Sequence, residues 1–169
     1  MHASPLASVV LVATGMLIAL PAGAGSTMSV AAPVFDLPTR AGGRIRLEDL
    51  RGQVVMINFW ASWCGPCRQE FPILDRMYRK YAPMGFSLVA VNVESDTTDA
   101  ERFLSQLPVS FTVAYDHDNL VSGEYGVSAM PTTLIVDRKG QVRWLHRAYK
   151  PGDEDEYLNQ VRAMLREAP

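Results

Sequence analysis

Gln53 to Trp60 (QVVMINFW) is a nearly continuous run of β-branched, aliphatic and aromatic residues. That is the pattern of a central strand buried on both faces, which needs neighbouring strands beside it and helices above and below. The rest of the chain supplies them. Pro33 to Leu37 and Arg44 to Leu47 read as short strands around the turn signal Ala41-Gly42-Gly43. Gly65 to about Tyr81 reads as a helix, because Phe71, Leu74, Met77, Tyr78 and Tyr81 fall at helical spacing, and Pro72 predicts a kink within it. Phe86 to Val93 is a second buried strand, followed by a helix from about Thr98 to Gln106. A third strand spans Phe111 to Tyr115, and a short helix runs from about Asn119 to Tyr125. Thr132 to Asp137 and Gln141 to Leu145 flank Arg138-Lys139-Gly140, a hairpin signature. The acidic run Asp153 to Glu156 suits the start of a last helix reaching Arg166, where the helix dipole favours anions. Strands alternating with helices and closing on a hairpin predict an α/β domain, a mixed sheet flanked by helices. No internal repeat or second-domain boundary is visible.

The first charged side chain is Asp36, so all 16 Lys/Arg and 18 Asp/Glu lie from there onward. Before it, Leu6 to Leu20 is apolar over about fifteen residues, the length of a signal-peptide core, and Ala22-Gly23-Ala24 offers a small-x-small cleavage site. Residues 1–24 therefore read as a signal peptide, residues 25–32 as a linker and residues 33–169 as the working domain. The leader holds His2 but no Lys or Arg, which keeps an uncleaved N-terminal anchor open as the alternative. Either way the domain is expected outside the cytoplasmic membrane, periplasmic or otherwise extracytoplasmic, where disulfides persist. A net charge of −2 argues against nucleic acid as a partner. Two cysteines cannot build a disulfide framework or a four-thiolate zinc site.

Those two cysteines lie in Trp63-Cys64-Gly65-Pro66-Cys67, where the buried strand ends and the helix begins. A cysteine at a helix start feels the partial positive charge of free backbone N–H groups, which favours thiolate over thiol. Two intervening residues in a helical turn bring Cys67 to the Cys64 sulfur, and Pro66 in the first turn forfeits no helical hydrogen bond. A purely structural disulfide would gain little, since so small a ring removes little entropy from the unfolded chain. A reactive dithiol is the stronger reading.

The segment Phe59-Trp60-Ala61-Ser62-Trp63-Cys64-Gly65-Pro66-Cys67-Arg68-Gln69-Glu70-Phe71-Pro72 resembles the active-site segment of the thioredoxin superfamily. Within it, the chain is most similar to the secreted TlpA/ResA-like thiol–disulfide oxidoreductases. Tyr125-Gly126-Val127-Ser128-Ala129-Met130-Pro131-Thr132-Thr133 resembles that group's second signature, and Ala32 to Leu37 with Leu47 to Gly52 its N-terminal extension. The resemblance implies a thioredoxin-like three-layer fold with a short N-terminal β extension. It further implies a cis Pro131 against the Cys64 sulfur, with residue 130 presented for strand-like pairing to substrate. Cys64 and Cys67 would be the redox-active pair supported by Gly65 and Pro66, and Trp63 and Met130 would contact substrate. Thioredoxins carry a buried Asp where this chain has Asn58, which cannot titrate. By resemblance the tuning role passes to Glu70, about one helical turn beyond Cys67. A carboxylate there would raise the thiol pKa values.

The expected activity is reduction of disulfides in exported proteins, such as apocytochrome c haem-site cysteines or cysteines awaiting copper. No cofactor or metal is implied. A Gly-Pro dipeptide resembles that of thioredoxins, near −270 mV, and a reductase outside the cytoplasm needs a membrane electron-transfer protein as its reductant. The dedicated cytochrome-maturation subgroup tends to carry Pro-Glu-Thr where this chain has Pro131-Thr132-Thr133. Two other readings compete. A copper(I)-delivery module could use the CxxC but has no third soft ligand in view, and a thiol peroxidase would need a Thr-x-x-Cys before the helix. Asp116-His117-Asp118 reads as a turn with a helix cap, and His146 shows no evident partner.

Overall fold

The computed structural model describes residues 25–168. The leader, its cleavage site and the anchor alternative lie outside them. The chain forms strands β1 (Ser26–Ala31), β2 (Asp36–Pro38), β3 (Arg44–Arg46), β4 (Val54–Trp60), β5 (Phe86–Asn92), β6 (Thr112–Tyr115), β7 (Thr132–Val136) and β8 (Gln141–Arg147). Its helices are α1 (Gly65–Tyr81), α2 (Thr98–Gln106), α3 (Leu120–Glu124) and α4 (Asp153–Arg166), with short 3-10 turns at Leu47–Leu50 and Ala82–Met84. Six strands make one sheet in the order β1-β8-β7-β4-β5-β6. β4, β5 and β6 run parallel, whereas β7, β8 and β1 are joined by antiparallel pairing, so the sheet is mixed as expected.

β4 lies at the sheet centre, and every one of its residues is buried. Its side chains alternate. Val54, Met56 and Trp60 enter the apolar layer under α1, α2 and α4, while Val55, Ile57 and Phe59 enter the layer under α3 and the β2–β3 hairpin. This explains the continuous apolar run, since neither face of the strand meets water. On the α1 side, Trp60, Phe71 and Phe103 pack with ring centroids 4.9 to 5.2 Å apart, and Phe111 lies 5.5 Å from Phe71. Edge-to-face and tilted rings of this kind add to the burial itself. At the β2–β3 turn, Gly42 and Gly43 take φ of 89° and 80°, a left-handed conformation open to glycine at little cost.

One expectation differs from the structure. The stretch assigned to a linker, residues 25–32, instead carries β1, an edge strand paired antiparallel with β8. Only Met28 of its six side chains is even half-buried, so its place is held mainly by backbone pairing. α1 runs as one helix from Gly65 to Tyr81 with Pro72 inside it, exposed to solvent.

Candidate active site

β4 delivers the chain to the N-terminus of α1, where Cys64 is the capping residue and Gly65 and Pro66 form the first turn. Cys64 and Cys67 are joined in a disulfide with Cα atoms 5.3 Å apart. The Cys67 backbone N–H donates to Cys64 Sγ at 3.1 Å. An N–H aimed at this sulfur stabilises negative charge on it, as a helix N-terminus does for any anion. Cys64 retains 4% exposure and Cys67 none, so an incoming sulfur reaches Cys64 first. Beside the pair, Trp63 is 70% exposed, a large apolar surface with no packing partner of its own.

The loop entering the site is clamped. Glu94 accepts from Ser62 N–H and Ser62 Oγ at 2.7 Å each and from Asn92 Nδ2 at 2.8 Å. This carboxylate ties the end of β5 to the residues just before Cys64. Its signal in the sequence was slight, a single acid after a strand.

Pro131 follows a cis peptide bond and is buried at the start of β7, and Met130 is half-buried against both apolar layers. The Pro131 carbonyl accepts from Ala148 N–H at 2.8 Å, and Thr132 Oγ1 donates to the Ala129 carbonyl at 2.7 Å. Both bonds pin the turn that presents residue 130.

Glu70 is fully buried one turn beyond Cys67, more deeply than its sequence position suggested. Asn58 Nδ2 donates to Glu70 Oε2 at 2.9 Å and to Thr133 Oγ1 at 2.9 Å, and Thr133 Oγ1 donates weakly to Glu70 Oε1 at 3.4 Å. Burial pushes the Glu70 carboxyl up to about 7, against the opposing pull of hydrogen bonds to its charged form. Tyr157 also neighbours this carboxyl, although its hydroxyl completes no hydrogen bond of good geometry among the described residues. Burial, then the nearby Glu70 charge, holds the Tyr157 phenol well above its ordinary value.

The polar floor beneath Glu70 extends further. Asn58 pairs with Thr133 across β4–β7, and Thr133 pairs with His146 across β7–β8. Three polar residues thus stand in a row on one sheet face. His146 Nε2 lies 3.0 Å from Asp153 Oδ2, a partner that sequence reasoning missed. The one available hint was Asn58, a polar residue interrupting the otherwise apolar run of β4. The acidic run opening α4 is more than a dipole effect. Asp153 accepts from Lys150 N–H, Glu154 from Tyr149 Oη and Gly152 N–H, and Glu156 from Trp144 Nε1. The Asp116 carboxylate accepts from Val121 and Ser122 N–H at 3.2 and 2.7 Å, the cap that was expected for α3.

Residues 26–161 match the Redoxin family model. A thiol-disulfide oxidoreductase ResA of Bacillus subtilis is 40% identical over 111 residues, 66% of this chain and 62% of the relative. A ResA of Bacillus thuringiensis subsp. konkukian is 30% identical over 131 residues, 77% of this chain and 76% of the relative. The chain thus spans a little under two thirds of the length of the first of these. Among solved structures, a candidate thiol:disulfide interchange protein DsbE from Chlorobium tepidum superposes with a TM-score of 0.78 at 44% identity, covering 81% of this chain and 96% of that one.

Proposed function

The chain belongs to the Redoxin family, and from that premise we propose that it is a thiol–disulfide oxidoreductase that reduces disulfides in exported, cysteine-containing proteins. The observation that carries this reading is the Cys67 N–H donating to the more exposed Cys64 sulfur at the start of α1. In the reduced protein that donor supports a Cys64 thiolate, which attacks one sulfur of a substrate disulfide. A Cys64–substrate bond forms, and the other substrate sulfur leaves as a thiolate that takes a proton from water. Cys67 then loses its proton to the Glu70 carboxylate and attacks Cys64 Sγ. The second substrate sulfur departs, two electrons have passed to the substrate, and the protein is left with the Cys64–Cys67 disulfide. Trp63 and Met130 flank the sulfurs as the substrate-contacting surface, and Pro131 shapes the turn that carries residue 130.

Cysteines of apocytochrome c or of a copper site awaiting its metal are the substrates that this chemistry serves outside the cytoplasm. A membrane electron-transfer protein would return the dithiol to its reduced state. The apolar leader and Ala22-Gly23-Ala24 support export, with a mature chain beginning near Gly25. Intact-mass measurement of the exported protein tests this, and a chain retaining Met1 in the membrane fraction supports the anchor instead.

Equilibration of the purified domain with glutathione buffers tests the activity. A reductase is expected to be oxidised only at potentials near those of thioredoxin, about −270 mV. A midpoint near −120 mV, the range of a strong oxidant, would reverse the proposed direction of electron flow.

A further inference from the structure

We propose that His146 and Asp153 are positioning residues for the dithiol: a buried, hydrogen-bonded pair that acts on Cys64 and Cys67 through Glu70. The inference rests on the reading of Glu70 as the proton acceptor for Cys67. His146 and Asp153 sit in the same polar pocket as that acid, and no step of the exchange reaction described above uses them.

The pocket is built from five elements. Asn58 comes from β4, Glu70 from α1, Thr133 from β7, His146 from β8, and Asp153 and Tyr157 from α4. The His146 ring stacks on Trp144 at 5.4 Å and meets Tyr157 edge-on at 5.5 Å. Tyr157 in turn neighbours Glu70, so one ring links the histidine to the acid. The side chains of His146 and Asp153 are only 1% and 10% exposed, which leaves their 3.0 Å contact little screened by water. Three buried polar atoms here have no partner among the described residues: Asn58 Oδ1, Tyr157 Oη and His146 Nδ1. Burying such atoms is unfavourable compared with apolar side chains of the same shape. Apolar residues of similar shape would fill the pocket without that cost, so packing does not account for their presence.

Charge does account for it. The titratable groups acting on or near Glu70 are Tyr157 and Asp153 on α4 and Tyr149 in the segment after β8, with Cys67 one turn back on α1 and His146 on β8 joined to Asp153. Glu154 and Glu156 are turned to Tyr149 Oη and Trp144 Nε1. Burial is the main reason Glu70 resists ionisation, and the Asp153 carboxylate adds a smaller opposing charge. The His146 ring, 3.0 Å from Asp153 Oδ2, engages that carboxylate and limits its opposition. The pair therefore sets how readily Glu70 accepts the Cys67 proton.

The test uses variants with opposed effects on Glu70. The infrared carbonyl band of protonated Glu70, assigned by its loss in Glu70→Gln, is titrated against pH in the oxidised protein, alongside the pH profile of peptide-disulfide reduction. Asp153→Asn removes the negative charge and is expected to lower the Glu70 midpoint by roughly half a pH unit or more. His146→Leu removes the hydrogen bond to the Asp153 carboxylate and is expected to raise it by a similar amount. The double variant should match Asp153→Asn, because without that carboxylate the histidine has no charge to offset, an equality that loss of packing would not produce. Midpoints unmoved in Asp153→Asn, the more exposed and conservative of the two, would overturn the inference while leaving the Glu70 reading intact. A reduction profile unchanged in Glu70→Gln would overturn that reading, and this inference with it.

Discussion

At the scale of single residues, the molecule turns on a carboxylic acid placed where water does not reach. Glu70 lies inside the domain with its carboxyl held by Asn58 and Thr133, and burial favours its neutral form up to about pH 7. An unfolded chain ionises the same group near its ordinary value of 4.5. Because the folded value is the higher one, the stabilisation from neutral Glu70 is complete below about pH 4.5 and is lost as pH rises through about 7. A displacement of that size corresponds to about 3 kcal/mol. Glu70→Gln should therefore flatten the fall in stability between pH 5 and pH 8, and urea midpoints at the two pH values measure it. The same variant should lower the apparent thiol pKa values of the reduced protein, since a nearby carboxylate opposes a second negative charge. Thiolate absorbance titrated against pH reads that shift, and curves superimposable on wild type would remove Glu70 from the proton route. The position of Glu70 relative to Cys67 was legible in the sequence, because three residues on a helix make one turn. Its complete burial was not, because α4 covers it from more than eighty residues away in the chain.

Among the elements, α1 does the most, since its first turn carries the cysteines and its buried face carries Phe71 and Leu74 into the core. Adjacent residues on this helix should respond in opposite directions. Phe71 is fully buried among Trp60, Phe103 and Phe111, so Phe71→Ala should cost about 3–5 kcal/mol in denaturant unfolding. Pro72 is exposed and withholds an N–H from the helix interior, so Pro72→Ala should stabilise the protein by about 1–3 kcal/mol. Both are measured on the oxidised protein, where the helix start is held by the disulfide. β4 and α1 were readable because their side chains repeat with the period of the element they form. β1 was hidden for the converse reason. Ser26 to Ala31 mixes small, polar and apolar side chains with no strong alternation, nearly all exposed, and its pairing with β8 depends on backbone groups that every residue possesses.

Across the whole molecule, register joins what the sequence separates. Asn58, Thr133 and His146 are buried polar residues on three separate strands, and only the β4–β7–β8 pairing makes them one row beneath the helix that bears the dithiol. The cysteine pair, the turn at Met130-Pro131 and Glu70 were each visible as local patterns, whereas the floor that connects them was a product of long-range topology. The proposed exchange rests on one asymmetry: Cys64 keeps a trace of exposure, whereas Cys67 is fully buried. Trapping tests that asymmetry most directly. Cys67→Ser and Cys64→Ser, each reduced and mixed with a disulfide-bonded peptide, are digested and mapped by mass spectrometry. The account predicts a stable mixed disulfide on Cys64 in the first variant and almost none on Cys67 in the second. Equal capture by Cys67 would contradict it.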